Sequence, residues 1–160
     1  MAGTAERLLL TLETIRRGLL ALIALGLIGS SVELVLIGHY EDSLQMWPLV
    51  VAGLTIALVG VVAARPSVGA LRAFQFLMLT LIGTGITGVT LHFIANTEFQ
   101  LEIDPTLSGL PLFRKAIEAT APPALAPGVM VQVGLLGLLY TYKHPVLAEE
   151  PSDLSAKEMT

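Results

Sequence analysis

The chain has 160 residues, of which 54% are hydrophobic and 14% charged, and a mean hydropathy of +0.76. That is one domain by length but too little polar surface for a soluble globule. The formal charge of −4 comes with no basic block or aromatic platform, which excludes nucleic acid as a partner, and the absence of cysteine excludes disulfides, thiolate nucleophiles, Cys-held clusters and covalent c-type haem.

The sequence predicts an all-α membrane protein. It forms a bundle of four transmembrane helices with an N-terminal amphipathic helix extension and an outer-face cap, over residues 1–147, followed by a polar tail at 148–160 that is expected to be disordered. Leu8, Leu12, Ile15 and Leu19 recur at i, i+4, i+7 and i+11, so residues 5–17 read as an amphipathic helix running into the first span. That span, 18–38, is too long for a signal-peptide core and is expected to remain in place. A polar loop at 39–45, where Asp42 or Ser43 suits a helix cap, leads to the second span, 46–64, which opens with Trp47 at headgroup level and with Pro48 in its first turn. Arg65 and Pro66 close it. The third span covers 71–95. The fourth covers 124–142, its start fixed by Pro122 and Pro123.

Between the third and fourth spans, residues 96–103 (NTEFQLEI) alternate polar and apolar, the period of a half-buried extended strand. After a turn at 104–109, Pro111 and the shared face of Leu110, Phe113 and Ile117 predict a short helix lying in the outer interface. Together these would cap the bundle. Arg7, Arg16, Arg17, Arg65, Arg72 and Lys143 flank one side and only Arg114 and Lys115 the other, so both termini are expected in the cytoplasm of a bacterium, with the chain in its inner membrane.

Small residues mark interfaces in lipid, where apolar area alone does not drive association. Gly53, Ala57, Gly60 and Ala64 line one face of the second span. Thr80, Thr84, Gly88, His92 and Asn96 line one face of the third, forming a groove for a neighbouring helix or a bound molecule. Glu33 is the one charge in the first span, and an unpaired carboxylate in hydrocarbon costs about 2.5–3.5 kcal/mol on the insertion scale. It is expected to face His92 at similar depth, with Gln132 and Asn96 nearby. Such a cluster serves as a proton relay, a hydrogen-bonding site for a quinone or other small molecule, one half of a metal site, or interhelical polar glue.

His39, Glu41, Glu98 and Glu102 are further candidates on the outer face, and its acids give a field favouring cations or a basic partner. His39, His92 and Met130 are ligand types suited to b-type haem or copper, but no two share an i, i+4 spacing, and the sequence requires no cofactor. No nucleophile with a positioned base, phosphate-cradling loop or zincin helix is present to support catalysis. The expected function is a non-catalytic accessory subunit or a module binding a small molecule or partner through its outer face, its partners being the bilayer and a membrane protein or a second copy. The alternative is a membrane redox or transport component with a quinone, haem or proton site at Glu33 and His92.

Overall fold

A computed structural model describes residues 2–118 and 125–148, so the tail beyond 148, the Pro122–Pro123 start signal and Ala124 lie outside the described residues. The described residues form only helices: α1 (Ala2–Leu36), α2 (Ser43–Ala64), α3 (Val68–Ile103), α4 (Gly109–Ile117), α5 (Leu125–Thr141) and the single turn α6 (Pro145–Ala148). Three of them, α1, α2 and α3, are long and apolar enough to cross a membrane; α5 is apolar but spans 17 residues. The amphipathic extension and the first span are one continuous helix of 35 residues, about 52 Å at 1.5 Å per residue.

Helix α1 packs on α2 and α5, and α3 packs on the same two, with α3 against α5 the most extensive pairing. The buried positions explain the arrangement. On α1 they are Leu20, Ile23, Leu27, Ser30 and Leu34; on α3 Leu71, Phe74, Met78, Leu81 and Gly85; on α5 Met130, Val133, Gly134, Gly137, Tyr140 and Thr141. The α1 and α3 series step by three and four residues alternately and the α5 series adds the neighbours Gly134 and Thr141 to the same face, the seam of helices packed side by side with side chains interlocked. Between these positions α1 exposes Leu22, Leu25 and Ile28, so apolar residues face both the seam and the surroundings.

The α3–α5 contact is backbone on backbone. A Cβ at Gly134 would lie 2.7 Å from the Met78 carbonyl oxygen, one at Gly85 would lie 2.5 Å from that of Pro127, and one at Gly137 would collide with the Met78 sulfur. At one end of this contact Gln75 donates to the Thr141 hydroxyl at 3.1 Å. The small face of α2 is placed differently. Gly53, Ala57, Gly60 and Ala64 are all exposed, and nothing approaches a Cβ built on either glycine.

Two expectations are corrected. Residues 96–103 are not extended: α3 continues as helix through Ile103. The half-buried positions run in pairs, His92 and Phe93, Asn96 and Thr97, Gln100 and Leu101, a helical repeat that the period-two alternation concealed. An established helix extends more easily than a new element nucleates, and Glu, Gln and Leu favour that extension. Asp104 ends the helix because Pro105 disfavours helical geometry in the residue before it, and the Asp104 carboxylate accepts the Thr106 N–H at 3.0 Å and its hydroxyl at 2.6 Å. The second correction concerns Pro48. Helix α2 starts at Ser43, so Pro48 falls in its second turn and has no N–H to give the Leu44 carbonyl.

Candidate functional site: a groove between α2 and α3

Helix α1 ends in a motif that places His39. Gly38, at φ +71°, takes the left-handed conformation that a side chain disfavours. Its N–H reaches the Val35 carbonyl at 3.1 Å while the His39 N–H reaches that of Leu34 at 2.8 Å, which is the paired closure of a Schellman end. The chain then re-enters a helix within a few residues. Asp42 accepts the Gln45 N–H at 2.8 Å, and the Gln45 side chain accepts the Glu41 N–H at 3.1 Å, so the start of α2 is locked in both directions.

This tight corner sets His39 against α3. The His39 and His92 rings lie 6.0 Å apart between centroids, tilted by 30°. One helical turn into α2 the Trp47 indole N–H donates to the Thr84 hydroxyl at 3.1 Å, the only tryptophan in the chain. Between these two contacts lies an open groove of about 730 Å³. Leu44, Trp47, Pro48 and Leu91 give it apolar walls, Gly83 leaves room on its α3 side, and Ser43, Gln45, Thr80 and Thr87 supply polar groups. A smaller cavity of about 50 Å³ lies behind it, also lined by His39 and His92 and closed by Leu34, Pro127 and Met130. The two imidazoles therefore form a wall common to both spaces.

The structure brings His39 and His92 together and sets Met130 on the same inner cavity. Glu33 is exposed on α1 and its carboxylate makes no hydrogen bond or ion pair among the described residues; the ring that meets His92 is His39. Gln132 is exposed on α5 and lines neither space. Asn96 serves the fold: its amide donates to the Ala116 carbonyl at 3.1 Å and, with the Phe93–Phe113 ring contact at 5.7 Å, fastens α4 to α3. Glu41, Glu98 and Glu102 are exposed. Among the described residues no three His, Cys, Asp or Glu side chains converge as a metal site.

The face Thr80, Thr84, Gly88 and His92 is the groove floor that the sequence suggested. The partners across it were not legible. Trp47 signals a headgroup anchor by composition, and only the Asp42-capped corner turns it onto Thr84. No protein-family model, curated protein or solved structure matches the chain.

Proposed function

We propose that this is a non-catalytic membrane protein that binds a small amphiphile in the α2–α3 groove, its head hydrogen-bonded near His39 and His92 and its tail leaving into lipid. The observation that carries this reading is the groove itself. Its volume of about 730 Å³ falls within the range of roughly 300–1,000 Å³ common to small-molecule sites, with mostly apolar walls and a few convergent polar groups. Imidazoles, hydroxyls and an amide at one end suit a head with acceptor oxygens, as in a quinone.

In this reading α5 also crosses the bilayer. Its 17 residues extend about 26 Å, near the lower limit for a span, and it is the helix most tightly joined to α3. With four crossings, Arg7, Arg16, Arg17, Arg65, Arg72 and Lys143 lie together on the cytoplasmic side of a bacterial inner membrane, and the groove opens toward the outer half. Helix α4 then caps that side, resting its exposed Leu110, Phe113 and Ile117 in the interface. Single cysteines at Ser43 and Ser108 should react with an impermeant reagent on intact cells and one at Ser155 should not; the reverse pattern overturns the orientation.

Native mass spectrometry of the full chain, released from mild detergent, tests the binding reading. One amphiphile mass should accompany the wild type and be lost from His92→Phe and Trp47→Leu, while both variants stay folded. Retention of the same mass by both would refute the site. The alternative of a redox or transport component rests on the same imidazole pair, since imidazole is able to exchange protons. Proton flux into liposomes that His92→Phe abolishes would favour it over binding alone.

A further inference from the structure

We infer a second site at the opposite end of the helices: a groove that holds one anionic phospholipid, with the phosphate at Arg16 and Arg17 and an acyl chain along α1 and α2. The inference rests on the membrane reading above but not on the His39–His92 groove. A trough of about 780 Å³ runs between α1, the last turns of α2 and the α5–α6 corner. Arg16, Leu20 and Ala24 follow one another up α1 at steps of four residues, about 6 Å each, and face Val59 and Val62 of α2 across the trough. Leu9, Leu12 and Glu13 line the trough on one side of the cationic groups, and on the other its apolar channel leads from them toward the middle of the helices. That is the order of parts in a phospholipid.

The arginines are arranged for such a head. One Nη of Arg16 donates to the Lys143 carbonyl at 3.0 Å, which fixes the guanidinium over the trough and leaves most of its five N–H donors for another acceptor. Arg17 pairs with Glu13 one turn earlier, both side chains more than half exposed, a pairing weak enough to exchange for a phosphate. Among the residues lining the trough, the two guanidiniums outnumber the single carboxylate of Glu13. The wall contributes an independent observation. His144 lines the trough, is 6% exposed, and its Nδ1 is the buried side-chain nitrogen without a hydrogen-bond partner among the described residues. Buried polar atoms are rarely left so, and an orphan here marks a wall suited to a polar neighbour. Basic pockets between spanning helices on the cytoplasmic side recognise acidic lipid heads by this combination of charge and depth.

The test uses the full chain in dodecyl maltoside with phosphatidylglycerol or phosphatidylcholine of identical acyl chains, read by native mass spectrometry and by the thermal midpoint. Wild type should retain phosphatidylglycerol over phosphatidylcholine by about 30-fold, from about fivefold per arginine near the surface, and only phosphatidylglycerol should raise the midpoint. Arg16→Gln with Arg17→Gln should abolish the preference, whereas Arg65→Gln, at the same end but outside the trough, should keep it. Ala24→Phe should block binding with both arginines intact, and glycerol phosphate, which lacks the chains, should not compete. Arg16→Lys keeps the charge and should retain most of the preference, which separates lipid binding from the structural tie to Lys143. Equal retention of the two lipids, an equal loss in Arg65→Gln, or undiminished binding in Ala24→Phe would overturn the inference.

Discussion

Replacing Gly134 by alanine adds one methyl group where α5 meets α3 at closest range. The new Cβ would lie 2.7 Å from the Met78 carbonyl oxygen and 2.5 Å from Ile82 Cγ1, whereas ordinary contact begins near 3.4 Å. The Ile82 side chain is able to rotate, but the Met78 carbonyl belongs to α3 and is not. Relief therefore requires the helices to part by about 0.7 Å at this level, and a gap of 0.5–1 Å already forfeits a quarter to a half of each dispersion contact along the seam. Because lipid offers no hydrophobic compensation for lost packing, the expected cost is about 1–3 kcal/mol. For a chain of this length that lowers the thermal midpoint by roughly 2–4 °C per kcal/mol. The internal control is Gly53→Ala on α2, where nothing lies within 4 Å of the added methyl and helix propensity favours alanine. Midpoints of both variants in one detergent, followed by circular dichroism, compare the two sites. Equal midpoints for Gly134→Ala and Gly53→Ala would refute the close α3–α5 approach.

Two further perturbations report on the two ends of the molecule. Gly38→Ala should destabilise the chain by about 1–2 kcal/mol, because φ +71° is retained against the side chain, and Gly38→Asn should cost less because asparagine tolerates that region; equal effects in urea titrations would contradict the Schellman end. His144 is held below the usual histidine pKa, first by burial and then by the Arg16 charge, so the unfolded chain takes up its proton before the folded chain does. Its contribution to stability is complete above about pH 6.5 and declines as pH falls below that value. The midpoint of wild type should therefore drop more between pH 7.5 and 5.5 than that of His144→Phe, and parallel profiles would show that His144 titrates alike in the folded and the unfolded chain.

The hydrophobic runs made the helices and most of their bounds legible, since a run of this length without charge has few other solutions. The seam was not legible. In α1, Ile23 and Leu27 are buried while Leu22, Leu25 and Ile28 are exposed, and hydropathy does not separate a helix face that meets a helix from one that meets lipid. Small residues were an incomplete guide for the same reason: Gly85 and Gly88 of α3 and Gly134 and Gly137 of α5 pack at contact distance, whereas Gly69, Gly83 and Gly128 and both glycines of α2 meet nothing within 4 Å among the described residues. Alternation at 96–103 misled because eight residues fit a period of two while the buried pairs of the existing helix continued underneath.

The candidate site was legible by halves. The Thr84–Gly88–His92 floor follows from one helix face, but its opposite wall depends on a corner between helices. That corner is set by Gly38 in a left-handed conformation and by the Asp42 cap, and it turns His39 toward His92. The partner expected for Glu33 presumes burial of its carboxylate in hydrocarbon. Helix α1 ends at Leu36, about 4.5 Å beyond Glu33, so an exposed carboxylate near the helix end reaches the polar interface without a partner.

Trp47 is the one indole in the chain and lines the groove, so its emission reports occupancy directly. The decisive measurement is a fluorescence titration of the detergent-solubilised protein with a decyl-tailed benzoquinone, which quenches indole on contact. The account predicts saturable quenching by wild type and an apparent affinity weaker by about tenfold in His92→Phe, the equivalent of one lost hydrogen bond of about 1.4 kcal/mol. Quenching that rises without saturation, or that is identical in wild type and His92→Phe, would contradict the binding groove.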